Sequence, residues 1–232
     1  SGSVEITESM VYDFIQTKLG YPVNPLDVRA LQKYKEDLLK ALNEEVIGQE
    51  RMVGDITDEW IRLLKNNRKG VRSVMALGPT GVGKSHLGRQ LAKKVFGSEG
   101  AFLEVDANQF KEGGFSANTF FGAPNGVLSS DKTAGMLFDY LDDPGKGKFG
   151  GVILINEAER AHADFWEKMM EVMDTGRATG GDGKERTLSR HLIILTSNRG
   201  DLALYPRTIE DWTESEYKAH METLTEERLK SV

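Results

Sequence analysis

The 232-residue sequence contains no cysteine. That excludes disulfides and thiolate metal sites and fits a reducing compartment. No apolar run approaches the ~20 residues of a membrane-crossing helix, and no leader pattern is visible, so the expected location is cytoplasmic. A basic excess is also lacking: 30 Lys and Arg stand against 36 Asp and Glu, for a net charge of −6. The chain therefore has no overall cationic footprint for nucleic acid, and the basic turn at Arg68-Lys69 reads as a solvated face or a contact between subunits. His86, His162, His191 and His220 suggest no metal site. Internal repeats and low-complexity tracts are absent. With 39% hydrophobic and 28% charged residues, the composition is that of a globular protein able to bury a sizeable core. Ser1-Gly2-Ser3 reads as a cloning remnant, so the natural protein is expected to extend upstream.

What is present centres on Gly78-Pro-Thr-Gly-Val-Gly-Lys-Ser85, which fills G-x-x-x-x-G-K-[S/T] at every fixed position. The apolar run Ser73–Leu77 precedes it as a strand would, and His86–Val95 follows with helical spacing. Gly78, Gly81 and Gly83 allow the backbone dihedrals that turn successive N–H groups onto phosphate oxygens. The helix start adds its positive end. Pro79, Thr80, Gly81, Val82, Gly83, Lys84, Ser85 and His86 thus form the expected phosphate-binding set. Lys84 reaches the β- and γ-phosphates, and Ser85 offers its hydroxyl to Mg²⁺. The implied ligand is a nucleoside triphosphate with Mg²⁺.

Around this motif the pattern alternates. Helical spacing covers Val11–Leu19, Leu26–Asn43, a segment ending near Lys65, Thr133–Tyr140 and Ala163–Met173. Strands are predicted at Ala101–Val105, Val152–Ile155 and His191–Asn198, the last two as apolar runs buried on both faces. Gly113–Asp131 and Gly176–Gly183 read as loops, and residues from Pro206 onward as an acidic, helix-prone tail. This alternation predicts an α/β fold with a parallel sheet covered on both sides, and ligands bind beyond the carboxyl ends of such strands. Asn156-Glu157 and Thr196-Ser197-Asn198 sit at those ends.

Hydrolysis requires an oriented water and a metal held against the phosphates. Glu157 is the candidate base. Asn156 occupies the position where a metal-side carboxylate is expected; an amide brings no charge, which predicts weaker metal dependence and slow turnover. Asn198 is placed to position the same water or to sense the γ-phosphate.

With these residues on the page, the chain resembles the second ATPase module of the Clp-type heat-shock unfoldases, within the AAA+ superfamily. The resemblance runs from about Val11 to about Gly200. It is carried by Tyr21-Pro-Val, Val46-Ile-Gly-Gln49, Gly78–Ser85, Phe121-Gly-Ala-Pro124, Val152–His162, Asp174-Thr-Gly-Arg177 and Thr196-Ser-Asn198. It implies a three-layer P-loop NTPase large subdomain over 45–205, with sheet order 5-1-4-3-2. A helical lead-in at 1–44 precedes it, and an acidic helical tail at 206–232 follows. It also implies hexameric rings that bind ATP between subunits and hydrolyse it to ADP and phosphate to remodel or thread a protein client. Val46 and Ile47 would flank the adenine, and Asn198 would be the sensor on strand four. Three departures accompany the resemblance. Asn156 replaces an aspartate, Val127 follows Gly126 where the pore loop carries an aromatic, and the fifth strand, arginine finger and lid are expected beyond the residues present. Alone, the chain is expected to hydrolyse ATP poorly. Two rival readings are a nucleotide-regulated assembly scaffold with little turnover and, less favoured by the acidic balance, a nucleic-acid-remodelling AAA+ protein.

Overall fold

The computed structural model describes residues 27–65, 70–78, 81–113, 116–123 and 135–197, with short pieces at 7, 10–11 and 22–25. Helix α1 (Val28–Asn43) starts at Asp27, whose carboxylate accepts from the backbone N–H groups of Arg29 and Ala30, both at 3.0 Å, as an N-cap does. It buries Leu31, Leu38 and Leu42, one helical stripe. Helix α2 (Glu50–Lys65) turns Val53, Ile56, Trp60 and Leu64 inward. Strand β1 (Arg72–Leu77) leads to the glycine loop and helix α3 (Lys84–Phe96), which Gly97 closes in the left-handed region at φ 70°.

Strand β2 (Phe102–Asp106) begins one residue later than the alternation predicts. Within the stretch read as a long loop lies a short helix, α4 (Ser116–Phe121), whose Ala117, Phe120 and Phe121 are buried. The Gly, Ser and Asn content around it masks three apolar residues at helical spacing. Helix α5 (Met136–Asp142) starts later than predicted, after Gly135. Strand β3 (Gly151–Asn156) and helix α6 (Ala163–Thr175) follow. The run Gly176–Gly183, read as a loop, instead opens a hairpin of β4 (Arg177–Thr179) and β5 (Glu185–Thr187), paired antiparallel from Arg177–Thr187 to Thr179–Glu185. Only Ala178 of these six residues is fully buried, so the hairpin leaves no apolar alternation to read. Charge holds it down: Arg186 pairs with Asp142 and Asp182, both at 2.6 Å, and lies 5.0 Å from the Phe138 ring centre. These contacts keep both aspartates below the usual carboxylate range, with the Arg186 hydrogen bonds as the main cause. Strand β6 (His191–Ser197) is buried throughout.

The main sheet is wholly parallel, in the order β1-β6-β3-β2. With β6 as the fourth main strand, this is the 1-4-3-2 core of the order the resemblance implies. The two-residue period of the strands builds the layers. Val152, Leu154, Leu192 and Ile194 face α1, α2 and α3, whereas Ile153, Ile155, Ile193 and Leu195 face α4, α5 and α6. The second face is aromatic: Phe110 stacks on Phe165 with centroids 4.6 Å apart, and Phe120 meets both. Helix α1, in the segment expected as a lead-in, shares the first core with the sheet. The predicted helix at 11–19 (apart from Val11), the basic turn at 66–69, Pro124 and Val127, Asn198 and the acidic tail all lie outside the described residues.

Candidate nucleotide site

The site is built where β1 runs out. Gly78, Gly81 and Gly83 adopt φ values of 151°, 89° and 91°, which side chains with a Cβ avoid. Gly83 caps α3 in the left-handed region with no side chain closing the helix end. The N–H groups of the first turn therefore face outward, with the positive end of the helix dipole behind them. Lys84 folds back over the loop and donates to the Gly78 carbonyl at 2.5 Å. This brings the ammonium back to the residue that follows β1. Ser85 is half-buried in the first turn, and the Gly78 N–H donates to the Ser197 carbonyl at 3.3 Å, tying the loop to the end of β6. Pro79 and Thr80 belong to the loop but lie outside the described residues.

The segment after α1 approaches the same helix. His86 Nε2 lies 3.3 Å from the Glu45 carbonyl oxygen, and Lys94 pairs with the Glu45 carboxylate at 3.1 Å. Next to this anchor, Val46 is 4% exposed and packs in the core, whereas Ile47 is 87% exposed. The two neighbours thus divide, one securing the segment and the other presenting an apolar side chain to solvent beside α3.

At the end of β3 the chain takes an unusual turn. Glu157 has φ 52° and ψ 47° and is the only non-glycine residue with positive φ among those described. Such a backbone is costly for a residue with a Cβ and is held by its surroundings. Its N–H donates to Thr196 Oγ1 at 3.3 Å. Its carboxylate accepts from Asn108 Nδ2 at 2.8 Å and lies 3.5 Å from the Arg160 guanidinium. The side chain is half-buried, so it is oriented by neighbours while still reachable by water.

Asn156 is not idle. Its amide nitrogen donates to Glu104 at 2.8 Å, and its carbonyl oxygen accepts from the Thr196 hydroxyl at 3.0 Å. Parallel pairing aligns Asp106 with Asn156 and Ala76 with Thr196, so a polar row crosses the sheet below α3. Thr196 belongs to a strand tip that the sequence marked, whereas Glu104 and Asn108 were not singled out. Glu104 occupies an ordinary alternating strand position, and the contact with Asn156 is diagonal between strands, visible only once their register is known.

These residues fit a nucleotide: glycine-directed N–H groups, an open helix N-terminus and Lys84 together suit a polyphosphate. For a divalent ion the fit is looser. Ser85 offers one oxygen, and Asn156 offers a neutral carbonyl already shared with Thr196. Among the described residues, no cluster of three His, Cys, Asp or Glu side chains could hold a metal without other ligands. A divalent ion here would depend on phosphate oxygens for most of its ligands. No helix among the described residues is long and apolar enough to cross a membrane.

Comparison with known proteins follows the same outline. A family model described as an AAA domain of the Cdc48 subfamily matches residues 69–231. The chaperone protein ClpB of Staphylococcus aureus (strain COL) is 30% identical over 227 residues, covering 94% of this chain and 25% of that protein. ClpB of Clostridium tetani is 31% identical over 232 residues, covering 97% and 26%. ClpB of Prochlorococcus marinus is 33% identical over 207 residues, covering 88% and 23%. The chain thus spans about a quarter of the length of these relatives. Among solved structures, Hsp104 in a closed state with ATPγS and FITC-casein superposes with a TM-score of 0.71 at 23% identity, covering 95% of this chain and 37% of that one. At that identity the likeness is one of fold.

Proposed function

Because the chain belongs to the AAA domain family, Cdc48 subfamily, we propose that it is the ATP-binding module of a Clp-like protein-remodelling machine. ATP would be hydrolysed to ADP and phosphate to do work on a protein client. The observation that carries this reading is the joint geometry at the ends of two strands, β1 and β3. The glycine loop and open start of α3 form a phosphate cradle, and β3 delivers Glu157 in a fixed, solvent-reachable turn. The polyphosphate would lie against the N–H groups of Gly81, Val82, Gly83 and Lys84, with the Lys84 ammonium leaving the Gly78 carbonyl for the β- and γ-oxygens. Val46 and Ile47 would border the base, with Ile47 giving the contact. Ser85 and Asn156 would face the metal-bearing side. Mg²⁺, when bound, neutralises charge building on the phosphate oxygens. Glu157, steadied by Asn108 and Arg160, would accept a proton from the attacking water, and Asn198 would help to orient it. A ring hexamer with ATP between subunits and a cytoplasmic setting complete the reading. The ClpB similarity along nearly the whole chain and the cysteine-free composition support them.

One observation favours a second reading, a nucleotide-gated assembly scaffold that hardly turns over: Asn156 is neutral, and both ends of its amide are already hydrogen-bonded. Phosphate release by the ring-forming full-length protein separates the two. The first reading expects turnover that Glu157→Gln abolishes while ATP binding persists. Equal phosphate release from the two proteins would assign it to a contaminant and leave the scaffold.

A further inference from the structure

Between α3 and Glu157 runs an unbroken series of hydrogen bonds, each with a fixed direction. Arg89, on the outer face of α3, donates to Glu104 Oε2 at 3.1 Å and lies 4.9 Å from the Phe102 ring centre. Glu104 Oε1 accepts from Asn156 Nδ2 at 2.8 Å. Asn156 Oδ1 accepts from the Thr196 hydroxyl at 3.0 Å, and the Thr196 oxygen accepts from the Glu157 N–H at 3.3 Å. The polarity is dictated by chemistry. An ionised carboxylate can only accept, so the amide nitrogen must face Glu104. The amide oxygen is then turned to Thr196, whose hydroxyl hydrogen is committed to it, leaving its lone pair for Glu157. The far end of the series is the backbone that holds an unfavourable positive φ.

We propose that Glu104 is a positioning residue of this site: through Asn156 and Thr196 it fixes the backbone turn of Glu157, and it does so only while position 156 is an amide. The inference rests on the reading of Glu157 as the water-orienting acid, although its geometry does not require a nucleotide. It changes the meaning of the Asn156 departure. An aspartate at 156 would place two carboxylates at the 2.8 Å separation now spanned by a hydrogen bond. An acid at 156 and Glu104 are therefore alternatives, and the negative charge of this series sits one strand outward, on β2, where Arg89 balances it. Placing an acid at 156 alone breaks the series; exchanging the two groups, Asn156→Asp with Glu104→Gln, rebuilds it. The glutamine amide then donates to the aspartate, and Thr196 donates to the other aspartate oxygen.

The test reads amide hydrogen exchange at Glu157 in the nucleotide-free chain, by NMR, for Glu104→Ala, Glu104→Gln, Asn156→Asp and the exchanged pair. For loss of one partly exposed link, exchange roughly three- to tenfold faster is expected in Glu104→Ala and Asn156→Asp. Rates within about twofold of the parent are expected in Glu104→Gln, which keeps an acceptor, and in the exchanged pair. Amides of Leu91 and Ile193, deep in α3 and β6, report global loosening. An effect shared by them would mark a purely structural role and overturn the proposal. So would equal rates in Glu104→Ala and the parent, or an exchanged pair no better protected than Asn156→Asp. Because no nucleotide is present, failure of the ATP reading appears separately, as loss of binding in a titration, and leaves this outcome intact.

Discussion

His191 opens β6 and is wholly buried, and its Nε2 lies 2.9 Å from the Gly147 carbonyl oxygen. A carbonyl only accepts, so the neutral ring carries its hydrogen on Nε2, and any second proton must go to Nδ1 inside the core. Burial, above all, lowers its pKa to about 4, against 6.5 for a free side chain. A base whose folded pKa is depressed binds its proton more readily when unfolded. Stability is therefore fully present above pH 6.5 and falls as pH drops from 6.5 to about 4, below which this loss is complete. Linkage at about 1.4 kcal/mol per pH unit gives a loss of about 2 kcal/mol between pH 7.5 and 5, a sizeable part of a ~5–15 kcal/mol total. Carboxylates titrate in the same range, so the assay is a comparison: urea unfolding of the parent and of His191→Gln at pH 7.5, 6 and 5. Glutamine can still donate to Gly147 but does not titrate. The parent should lose about 2 kcal/mol more than the variant over that range. Parallel stability curves would refute the reasoning, because they would mean that the ring is either accessible to water or already charged.

Two further outcomes follow from packing and charge. At Gly151, the first residue of β3, an added Cβ would meet Tyr140 Oη at 1.9 Å and the Ala101 carbonyl oxygen at 2.5 Å. Gly151→Ala should thus force the Tyr140–Ala101 hydrogen bond apart and cost about 1–3 kcal/mol in urea unfolding; an unchanged midpoint would show that β3 starts differently. Arg186→Met keeps the apolar stem over Phe138 but removes both ion pairs. Backbone exchange in β4–β5 should rise by roughly tenfold while the main sheet is unaffected; equal rates in the hairpin would mean that its backbone pairing suffices without Arg186.

The sheet was legible because its strands advertise themselves. Val152–Ile155 and Leu192–Leu195 are buried on both faces, and continuous apolar runs leave little else for them to be. The glycine loop was legible because its chemistry demands particular residues at particular spacings. What escaped notice depends on pairing between distant segments. The β4–β5 hairpin is held by Arg186 reaching back 44 residues to Asp142, and no local pattern encodes that contact. Helix α4 is too short for its periodicity to outweigh the surrounding glycines. The same limit applies in the site. Asn156 stands out in the sequence as a missing charge, but its partner Glu104 lies 52 positions earlier. Only the parallel register of β2 and β3 turns two unremarkable polar residues into a matched pair.

The claim on which the functional reading depends is that the Gly78–Ser85 loop binds a nucleoside triphosphate. Calorimetric titration of this chain and of Lys84→Ala with ATP, with and without Mg²⁺, tests it most directly. The account predicts micromolar binding by the parent that Mg²⁺ improves only slightly, because Asn156 brings no charge to the metal side. It also predicts binding weaker by about tenfold or more, about 1.4 kcal/mol, in Lys84→Ala. Equal affinity for the two proteins, or no heat from either, would contradict it.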